Sequence, residues 1–594
     1  MKFKYIYMLG ALALMTVSCD EDSFLDLVPQ GSLNENIMTS TEGVDLLVNA
    51  AYAALGGPEG QSWSVWCHPT SNWTYGEVRS DNAYKGGGGV GDLNEVHRME
   101  IFDMDATNGF LDSKWYHLYC SVQRCNSALR VLNAATDEQV SGRISRIAEM
   151  KVLRAHYYFE LSRLFNKIPY FDENVDISQY PEISNNEFTR DEILDKLAQE
   201  MLDAAEQLPT SQPEVGRIHK YIALAYAAKI KLYQAYEQDE TTHAVVNINK
   251  TLLREVATLC DQVMASNRYE LLDDFQKLDL VAYENGKESV FAIQYSMNDG
   301  TESAGRINWS NLLNSPGGGS PYGGDGFFLP SQDLINAYQT DANGLPDFNY
   351  QVKADYSWAV LSNGNYTLIN TTPNVDPRLD FVVGRPNITW KTYKEKACEG
   401  WVRDKETYGY NCAKRFWVSP ESSDMFQGWP WGASQLNWQI IRYADILLWK
   451  AEALIELNEG TDLETARTLI NNVRSRARNS SYVKKFSDNS KYAANYLINP
   501  YPTEVWDQNY ARKALRWEFR LEKALEGERF FDLVRWGIAD QVINSYITTE
   551  KDHRIYYGNA QFTKGKDEYY PIPNNQYGFS EGKYVQNPGY PSFK

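Results

Sequence analysis

The chain has 594 residues and carries 58 Lys and Arg against 78 Asp and Glu, a net charge of −20. That balance argues against a nucleic-acid or anionic-lipid surface and leaves a neutral or cationic partner. The seven cysteines are too sparse for a disulfide scaffold in a chain this long. The length calls for either several domains or one scaffold with long insertions.

The first eighteen residues read as a secretory signal. Lys2 and Lys4 form a basic start, an apolar stretch runs from Ile6 to Val17, and Ser18 is a small residue ahead of the next position. The apolar stretch is shorter than the roughly 20 residues needed to cross a bilayer. Cys19 at the cleavage point makes this a lipoprotein signal, with the thiol acylated and the new N-terminus held on a membrane. Thr16 stands where the usual lipobox has leucine. Residues 19–40 are polar and irregular, a lipidated tether.

Helical periodicity begins at 44–55 and resumes at 113–132 and 144–165. Further amphipathic stretches cover 190–208, with Thr189 as the N-cap, then 218–236, 251–266, 439–458 and 461–478. Aligning KVLRAHYYFELSRLF, KYIALAYAAKIKLYQ and IIRYADILLWKAEAL superimposes Ala155, Ala223 and Ala444. A small residue at a fixed place in repeated helix pairs is the mark of tetratricopeptide-like hairpins. The expected fold class is mainly α, with hairpins over about 41–270 and 437–537. Loop-rich insertions are expected at about 56–112 and 271–436, the second containing the strand-like VFAIQYS. All of it forms one domain, 41–594.

Residues 511–537, ARKALRWEFRLEKALEGERFFDLVRWG, carry one more amphipathic helix. Ala514, Trp517, Leu521, Ala524 and Leu525 fall on one stripe, and Gly527 offers the break. Glu518, Glu522 and Glu526 repeat at i, i+4, i+8, as do Arg512, Arg516 and Arg520. Like charges at that spacing repel, so each row needs partners from elsewhere in the fold. The enzymatic alternative takes Glu518 and Glu522, about 5–6 Å apart at this spacing, as a retaining glycosidase pair; three carboxylates beside three arginines read instead as scaffold.

FLDLVPQGS and NAAYAAL near the start, the helix IIRYADILLWKAEALIELN, the block EGERFFDLVRWG and the ends YPIPNNQ and QNPGY together resemble the SusD/RagB family of Bacteroidetes outer-membrane lipoproteins. The resemblance covers essentially the mature chain. Asp20-Glu21-Asp22 after Cys19 is similar to the surface-export signal of such lipoproteins. Phe519 departs from the family, which commonly has a basic residue after the glutamate. The resemblance implies a fold on four tetratricopeptide-like hairpins with a variable face of inserted loops. It also implies capture of a polysaccharide or oligosaccharide at the cell surface and delivery to a SusC-like, TonB-dependent transporter, without catalysis. Some relatives serve peptide uptake, which makes peptide capture an alternative.

Sugar rings stack C–H patches on Trp or Tyr faces while their hydroxyls pair with Asp, Asn, Gln or Arg. Candidate platforms are therefore aromatics in loops held by a rigid scaffold. Residues 56–112 supply Trp63, Trp66, Trp73, Tyr75 and Tyr84 with Asp81 and Asn82; residues 306–330 supply Trp309, Tyr322, Phe327 and Phe328; residues 426–438 add Trp429 and Trp431. Trp73, Asp81, Tyr84, Trp309 and Tyr322 are the favoured glycan contacts, against the competing reading of each as a buried anchor. No cofactor is expected. The glycine run 86–91 lacks the Gly-Lys-Ser/Thr end of a phosphate loop, no His-Glu-x-x-His pair exists, Cys120 and Cys125 lack zinc spacing, and Asp341, Asn343 and Asp347 do not make an EF-hand loop.

Overall fold

A computed structural model describes residues 40–593 except 58–63, 301–304, 357, 361–365, 369–372 and 395–399. Cys19, the leader and Trp63 lie outside the described residues. Helix α1, Thr41–Ala53, starts where the Ser40 side chain accepts a hydrogen bond from the Gly43 amide. After the first insertion come α2 (Gly109–Ala134) and α3 (Arg143–Phe165), then α4 (Arg190–Gln207) and α5 (Lys220–Ala235). The array continues with α6 (Lys250–Ala265), α7 (Tyr443–Leu457), α8 (Asp462–Asn479) and α9 (Gln508–Glu522). Each helix from α2 to α9 packs on the next, giving four successive pairs in one continuous stack. The fold is mainly α, as expected. Thr189 caps α4 in a reciprocal pair with Glu192, satisfying amide donors that a helix start leaves free.

Within the stack, α5 is apolar on nearly every side. Ile222 through Ala235 are all buried, and Ala223, Ala225, Ala227 and Ala228 have no detectable exposure. A helix without a polar face belongs inside, and alanines let neighbours approach from both sides. Ala155 and Ala444 are likewise fully buried at their helix contacts.

The third pair, α6 and α7, is separated in sequence by the long insertion. Its neck is closed by strands: Ser289–Ile293 pairs antiparallel with Trp438–Arg442. The VFAI part of VFAIQYS does form a strand there, but Val290 to Ile293 are buried without alternation, with helix α5 packed on the strand and the partner strand along its edge. A second strand pair, Ala83–Gly86 with Phe327–Pro330, ties the first insertion to the second.

Helix α9 stops at Glu522. The backbone turns through Leu525 (φ 67°) and Gly527 (φ 83°) into α10, Arg529–Arg535. A Cβ on Gly527 would lie 1.9 Å from the Ser71 carbonyl oxygen, so only glycine fits. Ala524 and Leu525 therefore reach the core from the turn rather than from the helix, and Trp517 is only half-buried.

Both charge rows find partners on neighbouring elements. Glu518 pairs with Arg378 and Arg474, and Glu522 with Arg378, Arg442 and Arg476. Glu526 pairs with Arg415, Arg442 and Lys523. From the other row, Arg512 meets Glu456, Arg520 meets Asp81 and Asp333, and Arg516 lies over the Trp536 ring. Glu518 and Glu522 have no detectable exposure, so no substrate reaches them and the carboxylate-pair reading is withdrawn. Phe519, the departure from the family pattern, packs edge-on against Trp536 at 5.7 Å.

Candidate functional site

All five favoured contacts are buried. Trp73 has no exposure and sits against Phe327 and Phe328 at 6.2 and 5.7 Å between ring centres. Tyr84 donates its hydroxyl to Glu550 (2.8 Å) and accepts from the Gln332 amide (2.9 Å). Tyr322 donates to the Val418 carbonyl and accepts from Trp390 Nε1, inside a cluster with Trp401 and Trp417.

Asp81 is held by Arg529 through both carboxylate oxygens, at 2.8 and 2.9 Å, and by Arg520 at 3.2 Å. Burial pushes its pKa up, but the Arg520 and Arg529 guanidiniums outweigh that and hold the carboxyl at about 2. These four residues join the insertions to the scaffold and are corrected from ligand contacts to core. The physical reason is common to them: loops this long bring their own apolar lids, and Phe327 and Phe328 close over Trp73.

Trp309, buried as well, is the one of the five that borders an exposed aromatic ridge. It is 6% exposed, meets Trp429 edge-on at 5.3 Å and tilts against Trp66 at 6.4 Å. Trp429 and Trp431 are 50% and 51% exposed. They stand at the tip of a loop closed by the Phe426 amide donating to the Ala433 carbonyl (2.8 Å) and by a bridge between Met425 and Ser434. Glycines permit the turn on either side, Gly428 at φ 97° and Gly432 at φ 76°. A Cβ on Gly432 would lie 2.0 Å from Ser315 Oγ, so the glycine seats this loop on the neighbouring 315–326 loop. The Trp431 ring covers Gly323.

The result is a ridge of two half-exposed indoles, Trp429 braced by Trp309, which leans on Trp66, and Trp431 seated on Gly323. Exposed tryptophans beyond ordinary need mark a binding surface. Beside it opens a cleft of about 530 Å³ lined by Trp309, Tyr52, Arg217, Gln294, Tyr295 and Arg306. That volume is in the range of small-ligand sites. Polar groups at its wall are of the kind sugar hydroxyls pair with: the Arg306 side chain is 66% exposed, and Gln294 is exposed as well. Burial pushes the Tyr295 hydroxyl up to about 12, so it stays neutral, hydrogen-bonded to Thr70 Oγ1 at 3.0 Å.

A family model described as the SusD family matches residues 287–590, and a second, described as starch-binding associating with outer membrane, matches residues 23–232. The chain belongs to the SusD family. SusD-like protein P2 of Formosa agariphila is 24% identical over 592 residues, spanning 99% of this chain and 100% of the relative. A SusD-like protein of Bacteroides ovatus is 21% identical, spanning 96% of this chain and 92% of its own.

Among solved structures, a laminarin-binding SusD-like protein shares the fold with a TM-score of 0.64 at 21% identity, over 93% of this chain and 100% of that one. Surface glycan-binding protein A from Bacteroides thetaiotaomicron in complex with laminarihexaose does so with a TM-score of 0.59 at 20% identity, over 92% and 99%. In this SusD-family chain no helix among the described residues is long and apolar enough to cross a membrane. Nor do three or more His, Cys, Asp or Glu side chains among them gather as a metal site.

The sequence points at the 426–438 segment without ranking it. What singles it out is Gly-Trp-Pro-Trp-Gly, residues 428–432: two indoles flanking a proline, between glycines, in a stretch too short to bury both.

Proposed function

We propose that this SusD-family protein is a non-enzymatic, lipid-anchored, surface-exposed glycan-capture protein of the outer membrane that hands oligosaccharide or polysaccharide to a SusC-like, TonB-dependent transporter. The observation that carries the reading is the Trp429/Trp431 ridge. Two indole faces stay in water at an unfavourable hydration free energy, and a carbohydrate C–H face is the apolar partner that also tolerates the polar cleft beside them. Trp309 supports the ridge at Trp429 and borders the cleft. Anchoring belongs to Cys19, the residue at the predicted cleavage point.

Stacking of each indole contributes on the order of 1 kcal/mol beyond area burial, which places the affinity roughly between millimolar and micromolar. Release to a transporter requires such modest binding. The test uses protein lacking residues 1–19 in affinity electrophoresis against a polysaccharide panel, starting with laminarin. Retardation by one polysaccharide, without release of reducing ends, supports the reading. Release of reducing ends overturns the non-enzymatic part, and no retardation by any glycan, with binding of peptides instead, overturns the substrate class. Cys19→Ala should move the protein from the membrane fraction to the soluble one.

A further inference from the structure

Lys114, on α2, is 2% exposed and lies inside the scaffold where α2, α3, α5 and the turn after α9 meet. Among the described residues its ammonium has one hydrogen-bond partner, the neutral Asn72 Oδ1 at 2.8 Å, and no carboxylate within 4.0 Å. The carboxylates that share the site are already engaged. Glu160 accepts from Arg163 (2.6 Å) and from Asn72 (2.7 Å), and Glu528 accepts from Arg163 (2.7 Å) and Lys229 (3.2 Å).

Three cations, Lys114, Arg163 and Lys229, therefore face two anions. Lys523 and Glu526 complete the lining, but they pair with each other and are tied into the Asp445, Arg442 and Arg415 network behind them. One buried positive charge, resting against the Tyr75 ring at 5.3 Å, is left without a carboxylate of its own, which disfavours the folded state.

The same residues line a cavity of about 40 Å³. Its wall includes His68, 5% exposed, whose Nδ1 has no hydrogen-bond partner. One water-sized particle needs about 10–15 Å³ on this measure, so the space holds a small ion with a water and excludes a sugar ring.

We propose that this cavity is a binding site for a small monovalent anion of the size of chloride, held by the Lys114 ammonium and the His68 Nδ1–H. The anion supplies the missing charge and joins the first insertion, through His68 and Asn72, to the helical stack. It acts apart from the glycan surface, and the proposal does not depend on that reading.

The titration of the neighbours sets the pH behaviour. Burial pushes His156 and His117 down to about 4 and His68 well below its usual value, so all three are neutral above pH 6. Burial works to raise Glu160, and Arg163 with the surrounding cations brings it down to about 2. Burial likewise brings Lys114 down to about 7. Lys114 is the group that changes charge between pH 6 and 8, and the anion binds its protonated form, taking up a proton at the upper end.

The experiment measures the thermal midpoint of the mature protein in sodium chloride and in sodium gluconate at matched ionic strength. Chloride is expected to raise the midpoint saturably, with the half-effect concentration about tenfold higher at pH 8 than at pH 6. Lys114→Met should abolish the chloride-specific increment and leave the general salt response. Crystals of the unmodified protein soaked in sodium bromide should show an anomalous peak between Lys114 Nζ and His68 Nδ1, which decides the matter should the variant fail to fold. Identical curves in chloride and gluconate, or no bromide peak in the cavity, overturn the proposal.

Discussion

The clamp at 511–537 and the loop at 428–432 invert the ordinary partition of side chains in opposite ways. The clamp places Glu518, Glu522, Arg378 and Arg442 in the interior at 1% exposure or less, while the loop leaves two tryptophans half in water. The first inversion is stable because each buried carboxylate meets two or three guanidinium or ammonium groups in hydrogen-bond contact. The second persists because the loop is too short and too glycine-bounded to fold its own indoles inward. Burial of charge here is a structural device that fixes which elements meet, and exposure of apolar surface is the functional signal.

Breaking one charge in the clamp should give the largest effect. Arg442→Met leaves Glu288, Glu522 and Glu526 short of a partner; a loss of about 3–5 kcal/mol is expected, read as a drop in the urea midpoint. Trp73→Ala should cost a similar 3–5 kcal/mol by opening a cavity among Phe327 and Phe328. Were Trp73→Ala instead to leave stability intact and abolish glycan binding, the division between the two regions would collapse.

Acid should weaken the buried ion pairs next. Asp81, held by Arg520 and Arg529 of the clamp, and Glu160, held by Arg163 in the helical stack, have folded pKa values brought down to about 2, below their unfolded values near 4. Stability from depressed carboxylates is complete above the unfolded pKa and is lost as pH falls through the folded one, so the midpoint should decline between about pH 4 and pH 2. Asp81→Asn should flatten part of that decline; a ligand-contact role for Asp81 would instead leave the acid limb unchanged.

The smallest stability effect belongs to the ridge. Trp429→Ala and Trp431→Ala should each weaken glycan retention by about 1 kcal/mol, roughly fivefold, with thermal midpoints almost unmoved. A large fall in midpoint would make the ridge another buried anchor and remove the contrast.

The helical pairs were legible because their evidence is local: periodicity over one helix, the Thr189 cap with Glu192 three residues on, and the recurring alanines at 155, 223 and 444; the end of α9 was not, for it falls at Glu522, five residues before the break expected at Gly527. The need of each charge row for outside partners was legible too, since like charges on one helix face cannot satisfy one another. Which arginines answer was not, for Arg378, Arg415 and Arg442 come from the long insertion and its exit strand. Among the aromatics, Trp73, Tyr84 and Tyr322 have the same composition and the same loop setting as Trp429 and Trp431, and chain order alone does not rank them.

Residue order by itself therefore determined the family, the helical stack and the sign of the surface, since these rest on short-range spacing and on composition. Tertiary structure alone decided which tryptophan faces water and which carboxylate is held at low pKa. Exposure and electrostatic pairing are set by segments hundreds of residues apart that arrive at one place only when the insertions close on the scaffold.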